Sequence, residues 1–146
     1  MSIDFKKIHI GELIFKKVTE EQISSQRICA FMKCREEELE KTFNSQSIDT
    51  ENLLRWSKLL EYDFFRLYTQ HLILFAPPSI ATRKSAAETN TQLPTFRKNI
   101  YTKGMIDYVL KLISDGKKTK LEVVERYGIP KTTLYKWIQK YAEKNK

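Results

Sequence analysis

Glycine and proline are scarce in this chain, at four residues each in 146. An all-β domain built on frequent tight turns uses more of both, and long stretches here contain neither, so the sequence predicts a nearly all-α protein. Cysteine is scarcer still, with only Cys29 and Cys34. In a reducing compartment these two read as thiols used for packing. A zinc site drawing on Cys29, Cys34, His9 and His71 is the alternative, although the paired C-x2-C and H-x3-H spacing of such sites is missing. No run approaches the roughly 18 apolar residues needed to cross a bilayer. The opening stretch MSIDFKKIHIGELIFKK has no continuous apolar core followed by a small-residue cleavage site, which gives the expectation of a cytoplasmic protein without membrane contact. No nucleophile elbow, phosphate loop or metal motif is present, so neither a cofactor nor a small-molecule substrate is expected.

What the chain does have is 41% hydrophobic and 12% aromatic residues, enough to build a core in one ordinary domain or two small ones. Its charge is unevenly distributed. Residues 1 to 75 carry 11 Lys+Arg against 12 Asp+Glu, net −1, and residues 76 to 146 carry 15 against 6, net +9. The whole excess of +8 therefore lies in the second half. This asymmetry implies that the second half meets a polyanion, either nucleic acid or an anionic surface.

Residues 1–75 read as five short amphipathic helices. Ile10, Leu13, Ile14 and Val18 recur at helical spacing, and Ile28, Phe31 and Met32 do so after a Ser24 cap. Leu39 and Phe43 mark a third helix. Asp49 caps a fourth containing Leu53, Trp56 and Leu60, and Asp63 a fifth on which Phe64, Leu67, Tyr68, His71, Leu72 and Phe75 share a face. At Ala76-Pro77-Pro78 the periodicity stops, and the Ser-, Thr-, Ala- and Asn-rich stretch to residue 99 predicts a linker, flexible at least in part.

Residues 100–146 resume the helical pattern with Ile106, Val109, Leu110 and Ile113, ended by Asp115-Gly116. Thr119 and Glu122 have capping-box spacing at the start of a helix that runs to Tyr127. Gly128 suits a tight turn, and Pro130 fixes the backbone where the last helix begins. On that helix Leu134, Trp137, Ile138 and Tyr141 share one face, with Trp137 assigned to the core. Thr132, Tyr135, Lys136 and Gln139 fall on the opposite face, which is rich in hydrogen-bond donors and has no acid. Packed through its apolar side on Leu121, Val124 and the preceding helix, it would present that stripe to a major groove. Thr133 joins the candidate contact residues, and Lys118, Lys120, Lys131 and Lys140, beside Lys117, would meet phosphates.

The run from Lys120 to Trp137, with its turn glycine, two-residue spacer and Thr-Leu-Tyr-Lys-Trp sequence, resembles the helix-turn-helix of transposase DNA-binding subunits. It is also similar to the pipsqueak and recombinase versions of the motif. The resemblance covers about 25 residues and implies sequence-specific binding of double-stranded DNA. It departs from the family at Val124, where a small residue is usual at the helix crossing. Residues Ile8 to Tyr68 resemble the five-helix lambda-repressor-like domain, in which the third helix reads DNA. Here that helix carries Glu36, Glu37, Glu38 and Glu40, which a phosphate backbone would repel. An assembly role is expected instead, with the surplus of Phe64, Phe65, Leu67, Leu72, Ile73, Leu74 and Phe75 either forming a homodimer or partner surface or completing a core.

A nuclease centre would need three carboxylates holding two metals on a sheet. Asp107, Asp115, Glu122 and Glu125 read instead as caps and solvated helix positions, so no enzyme is expected. The sequence thus predicts a two-domain, all-α DNA-binding protein associated with transposition. The rivals are a transcription regulator using the same motif and an interaction adaptor with a basic tail.

Overall fold

In a computed structural model of the chain, the described residues are 3–76, 92–94, 96 and 99–142, the last without its side chain. Among them are eight helices and no strand: α1 (Ile10–Glu21), α2 (Ser25–Met32), α3 (Glu36–Phe43), α4 (Thr50–Leu59), α5 (Phe65–Phe75), α6 (Lys103–Ser114), α7 (Lys120–Tyr127) and α8 (Lys131–Ala142). The protein is all-α, and none of these helices is long and apolar enough to cross a membrane. The linker expected over residues 76–99 falls mostly outside the described residues.

Most of the helices start where a side chain supplies an acceptor for their first free N–H groups. The Ser24 hydroxyl accepts from the Arg27 N–H, and the Asp49 carboxylate accepts from the Asn52 N–H at 2.8 Å. Asp63 accepts from the Phe65 N–H at 3.1 Å, and the Thr102 hydroxyl accepts from the Met105 N–H at 3.3 Å. His9 caps α1 with its ring, Nδ1 accepting from the Glu12 N–H at 3.2 Å.

The chain divides into two compact units, residues 3–68 and a second containing residues 69–146. In the first, α1 packs on α3, and α2 on both α3 and α4. Its core is Phe5, Ile10, Ile14, Val18, Ile28, Met32, Leu39, Leu53, Trp56, Leu60, Phe64 and Leu67. Phe31, grouped by spacing with Ile28 and Met32, is exposed, because the buried stripe of this two-turn helix follows the i, i+4 pair alone.

The division falls after Tyr68, inside α5, and not at residue 75. Helix α5 also buries a different face from the one its apolar spacing suggested. Phe64, Leu67, Gln70, Ile73 and Leu74 are buried, whereas Leu72 is 58% exposed. The side chain that decides this is Gln70, which has no exposed surface. Its Nε2 donates to the Ile100 carbonyl at 2.6 Å, and its Oε1 accepts from the Thr102 N–H at 3.1 Å and the Thr102 hydroxyl at 3.3 Å. A buried amide is tolerated only when its groups are paired, and here the pairing ties the end of α5 to the residue that caps α6. Of the apparent surplus of apolar residues there, Phe64, Leu67, Ile73 and Leu74 are buried.

Gln70→Leu, which keeps the side chain's bulk, removes three hydrogen bonds at once. It should lower the stability of residues 69–146 by about 1–3 kcal/mol through the unpaired partners left behind. Urea unfolding of the full chain checks this, and an unchanged midpoint would mean that the amide contributes nothing net.

Candidate nucleic-acid interface

Helices α6, α7 and α8 form the second unit's packed centre, with α8 against both α6 and α7. The Thr119 and Glu122 capping box is complete: the Thr119 hydroxyl accepts from the Glu122 N–H at 3.2 Å, and the Glu122 carboxylate accepts from the Thr119 N–H at 2.6 Å. That hydrogen bond from the Thr119 backbone holds the Glu122 carboxyl below its ordinary pKa. The carboxylate is thereby occupied at the helix start. Gly128 ends α7 in the left-handed conformation at φ 64°, which a side chain would disfavour. Pro130 precedes α8, its carbonyl accepting from the Leu134 N–H at 3.0 Å.

The face of α7 differs from the expected one. Val123 and Tyr127 are buried and Val124 half-buried, whereas Leu121 is 65% exposed and cannot be the packing partner of α8. Eight residues carrying Leu121, Val123, Val124 and Tyr127 offer more than one apolar stripe, and the i, i+4 pair Val123 and Tyr127 is the one packing selects. Burial, with the nearby Tyr108 as a smaller cause, pushes the Tyr127 phenol above its ordinary pKa. Ile129, which the sequence reading passed over, is fully buried in the turn. Its signal was available: an apolar residue directly after a left-handed glycine commonly packs back on the helix that has just ended.

On α8 the two faces lie as their spacing predicts. Leu134 and Trp137 are buried, Ile138 and Tyr141 half-buried, and the Trp137 ring meets Tyr101 edge-on at 5.0 Å. Thr132, Tyr135, Lys136 and Gln139 are exposed, together with Lys131 and Lys140, and Thr133 is half-buried. The candidate residues do not form a single cluster. Lys120 of α7 and Lys131 of α8 are brought together at Tyr135, their Nζ atoms 5.4 and 5.9 Å from its ring centroid. Lys140 lies towards the other end of α8, its Nζ 5.4 Å from the Tyr141 ring centroid. Lys118 is half-buried in the turn after α6, where its N–H donates to the Leu112 carbonyl at 3.1 Å.

In residues 3–68, Glu36, Glu37, Glu38 and Glu40 are all exposed. Glu38 accepts from the Arg35 N–H at 2.9 Å and Glu36 from the Ser25 hydroxyl at 3.1 Å, so these acids begin α3, where the helix dipole favours them. The zinc alternative finds no cluster. His9 caps α1, and His71 belongs to the other unit. Burial and the adjacent Cys29 raise the Cys34 thiol above its ordinary pKa, opposite to what a thiolate ligand needs. Among the described residues no group of three His, Cys, Asp or Glu side chains is placed to hold a metal ion. Comparison of the chain with protein-family models, with curated proteins and with solved structures gives no match.

Proposed function

We propose that this chain binds double-stranded DNA without acting on it chemically, using α8 as the helix that enters the major groove and α7 as its support. One observation carries this: a helix anchored on one side by Leu134 and Trp137 exposes Thr132, Tyr135, Lys136 and Gln139 on the other, with no acid among them. Hydroxyl, amide and ammonium groups on a rigid helix are suited to base edges, and surrounding lysines to phosphates. The net +9 of residues 76 to 146 would draw such a surface to a duplex. Residues 3–68, with their acidic α3, are assigned to assembly with a second copy or a partner and not to DNA. The resemblance to transposase helix-turn-helix subunits favours a role in transposition, and a transcription regulator would read DNA by the same contacts.

The test is titration of the full chain with duplex DNA at several salt concentrations. Log affinity should fall linearly with log salt, with a slope near −0.9 for each of about 4–6 phosphates contacted. The triple variant Thr132→Ala, Tyr135→Ala, Lys136→Ala should keep the wild-type melting temperature, since all three side chains are exposed, while losing affinity and sequence preference. Retention of both by the folded triple variant would remove α8 as the reading helix.

A further inference from the structure

Two ammonium groups lie against one exposed ring. Lys120 is the first residue of α7 and Lys131 the first of α8, yet both Nζ atoms sit within 6 Å of the Tyr135 centroid. Each ammonium group is attracted by the negative charge of the ring's π-face, Lys131 from one turn earlier on the same helix and Lys120 from α7. Neither lysine forms an ion pair among the described residues, where the pairs are those of Lys17 and Arg66. Glu122, two positions from Lys120, is held in the α7 capping box. Tyr135 itself is 46% exposed, far more than packing requires. The result is two positive charges held at one exposed ring, contributed by both helices of the motif.

Resting on the DNA-binding reading, we propose that Lys120, Lys131 and Tyr135 form one clamp for a backbone phosphate of the duplex. In this clamp Tyr135 is a positioning residue that holds the two lysines, and it does not read a base. A phosphodiester supplies the single negative charge and the acceptor oxygens that two ammonium groups with free donors can share. Because the lysines come from different helices, a phosphate held between them fixes the orientation of α7 and α8 on the duplex together. Phosphate contacts set register and carry no sequence information. Base readout is then left to Thr132, Lys136 and Gln139. The hydroxyl of Tyr135, the group that would contact a base edge, has no part in the clamp.

The experiment titrates the full chain on a mixed-sequence duplex and on a duplex selected for tight binding, between about 50 and 200 mM salt. Lys120→Ala should flatten the salt slope by about 1 and weaken both duplexes alike. Tyr135→Leu should do the same, by between about 1 and 2, although it removes no charge. Tyr135→Phe, which keeps the ring, should recover what Tyr135→Leu loses. The double variant Lys120→Ala, Tyr135→Leu should be clearly less impaired than the product of the two single effects. Three results would overturn the clamp while leaving DNA binding intact. One is independent, multiplicative effects in the double variant. A second is relaxed preference at one or two base pairs with the slope unchanged for Tyr135→Leu, and the third is a Tyr135→Phe variant as weak as Tyr135→Leu. Wild-type protein that ignores both duplexes would instead sink the DNA-binding reading, and the clamp with it.

Discussion

Trp137→Ala is expected to destabilise residues 69–146 by about 3–5 kcal/mol, and DNA binding should fail because the fold fails. The indole is buried beside Leu134 and packs edge-on against Tyr101, so truncation leaves a cavity where α8 is held. A small domain has only about 5–15 kcal/mol of total stability, so a loss of this size removes much of it. The signature is opposite to that of the exposed variants on the same helix. Thr132, Tyr135 and Lys136 are one or two residues from buried positions, yet their loss should leave the melting curve in place. Unfolding followed by circular dichroism, beside the binding titration, separates the two classes. A Trp137→Ala protein that melts like wild type would mean that the indole does not anchor α8.

In residues 3–68 the largest effect is expected at Gly11. The first turn of α1 lies against the chain leaving α3, where the Ile10 and Gly11 N–H groups donate to the Gln46 and Ser45 carbonyls at 3.2 and 3.1 Å. Free donors at the start of one helix thus meet carbonyls just past the end of another. A Cβ at Gly11 would fall against the carbonyl oxygens of Thr42, Phe43 and Ser45, the last two at 2.5 and 2.6 Å. These are backbone atoms, which cannot swing aside. Within a helix, alanine normally exceeds glycine in stability by roughly 0.5–1 kcal/mol. Here the sign should reverse, and Gly11→Ala should cost about 1–3 kcal/mol by forcing α1 off α3. Chemical denaturation of the full chain measures this, and a variant at least as stable as wild type would show that the two helices separate at little cost.

Much of this fold was legible because its signals are local. Ser24, Asp49, Asp63, Thr119 and Glu122 satisfy N–H groups two or three residues away, so their roles are set within one turn of chain. The left-handed glycine at 128 is equally local. The α8 faces were readable because four apolar and four polar positions separate cleanly over three turns. Helix α7 was not, since its four apolar residues form two adjacent stripes, Leu121 with Val124 and Val123 with Tyr127, and spacing alone does not say which is buried. Leu121 reads as core on composition, and only the packing leaves it in solvent.

The sequence by itself therefore determined the all-helical class, the starts of the helices, the charge asymmetry and the exposed stripe on α8, each a property of neighbours along the chain. Tertiary structure alone decided which residues distant in sequence meet. Gln70 reads as one more polar helix position until Ile100 and Thr102 are brought to it. Gly11 reads as a weak helix residue until the carbonyls of Thr42 to Ser45 close over it. Lys120 reads as a separate surface charge until the turn at Gly128 sets it against Tyr135, where Lys131 already lies one helical turn away. Lys131 meets Tyr135 through the i, i+4 spacing of α8, but Gln70 with Ile100 and Thr102, Gly11 with Thr42 to Ser45, and Lys120 with Tyr135 are all 15 or more positions apart in the sequence, beyond the reach of helical periodicity, and packing brings them together.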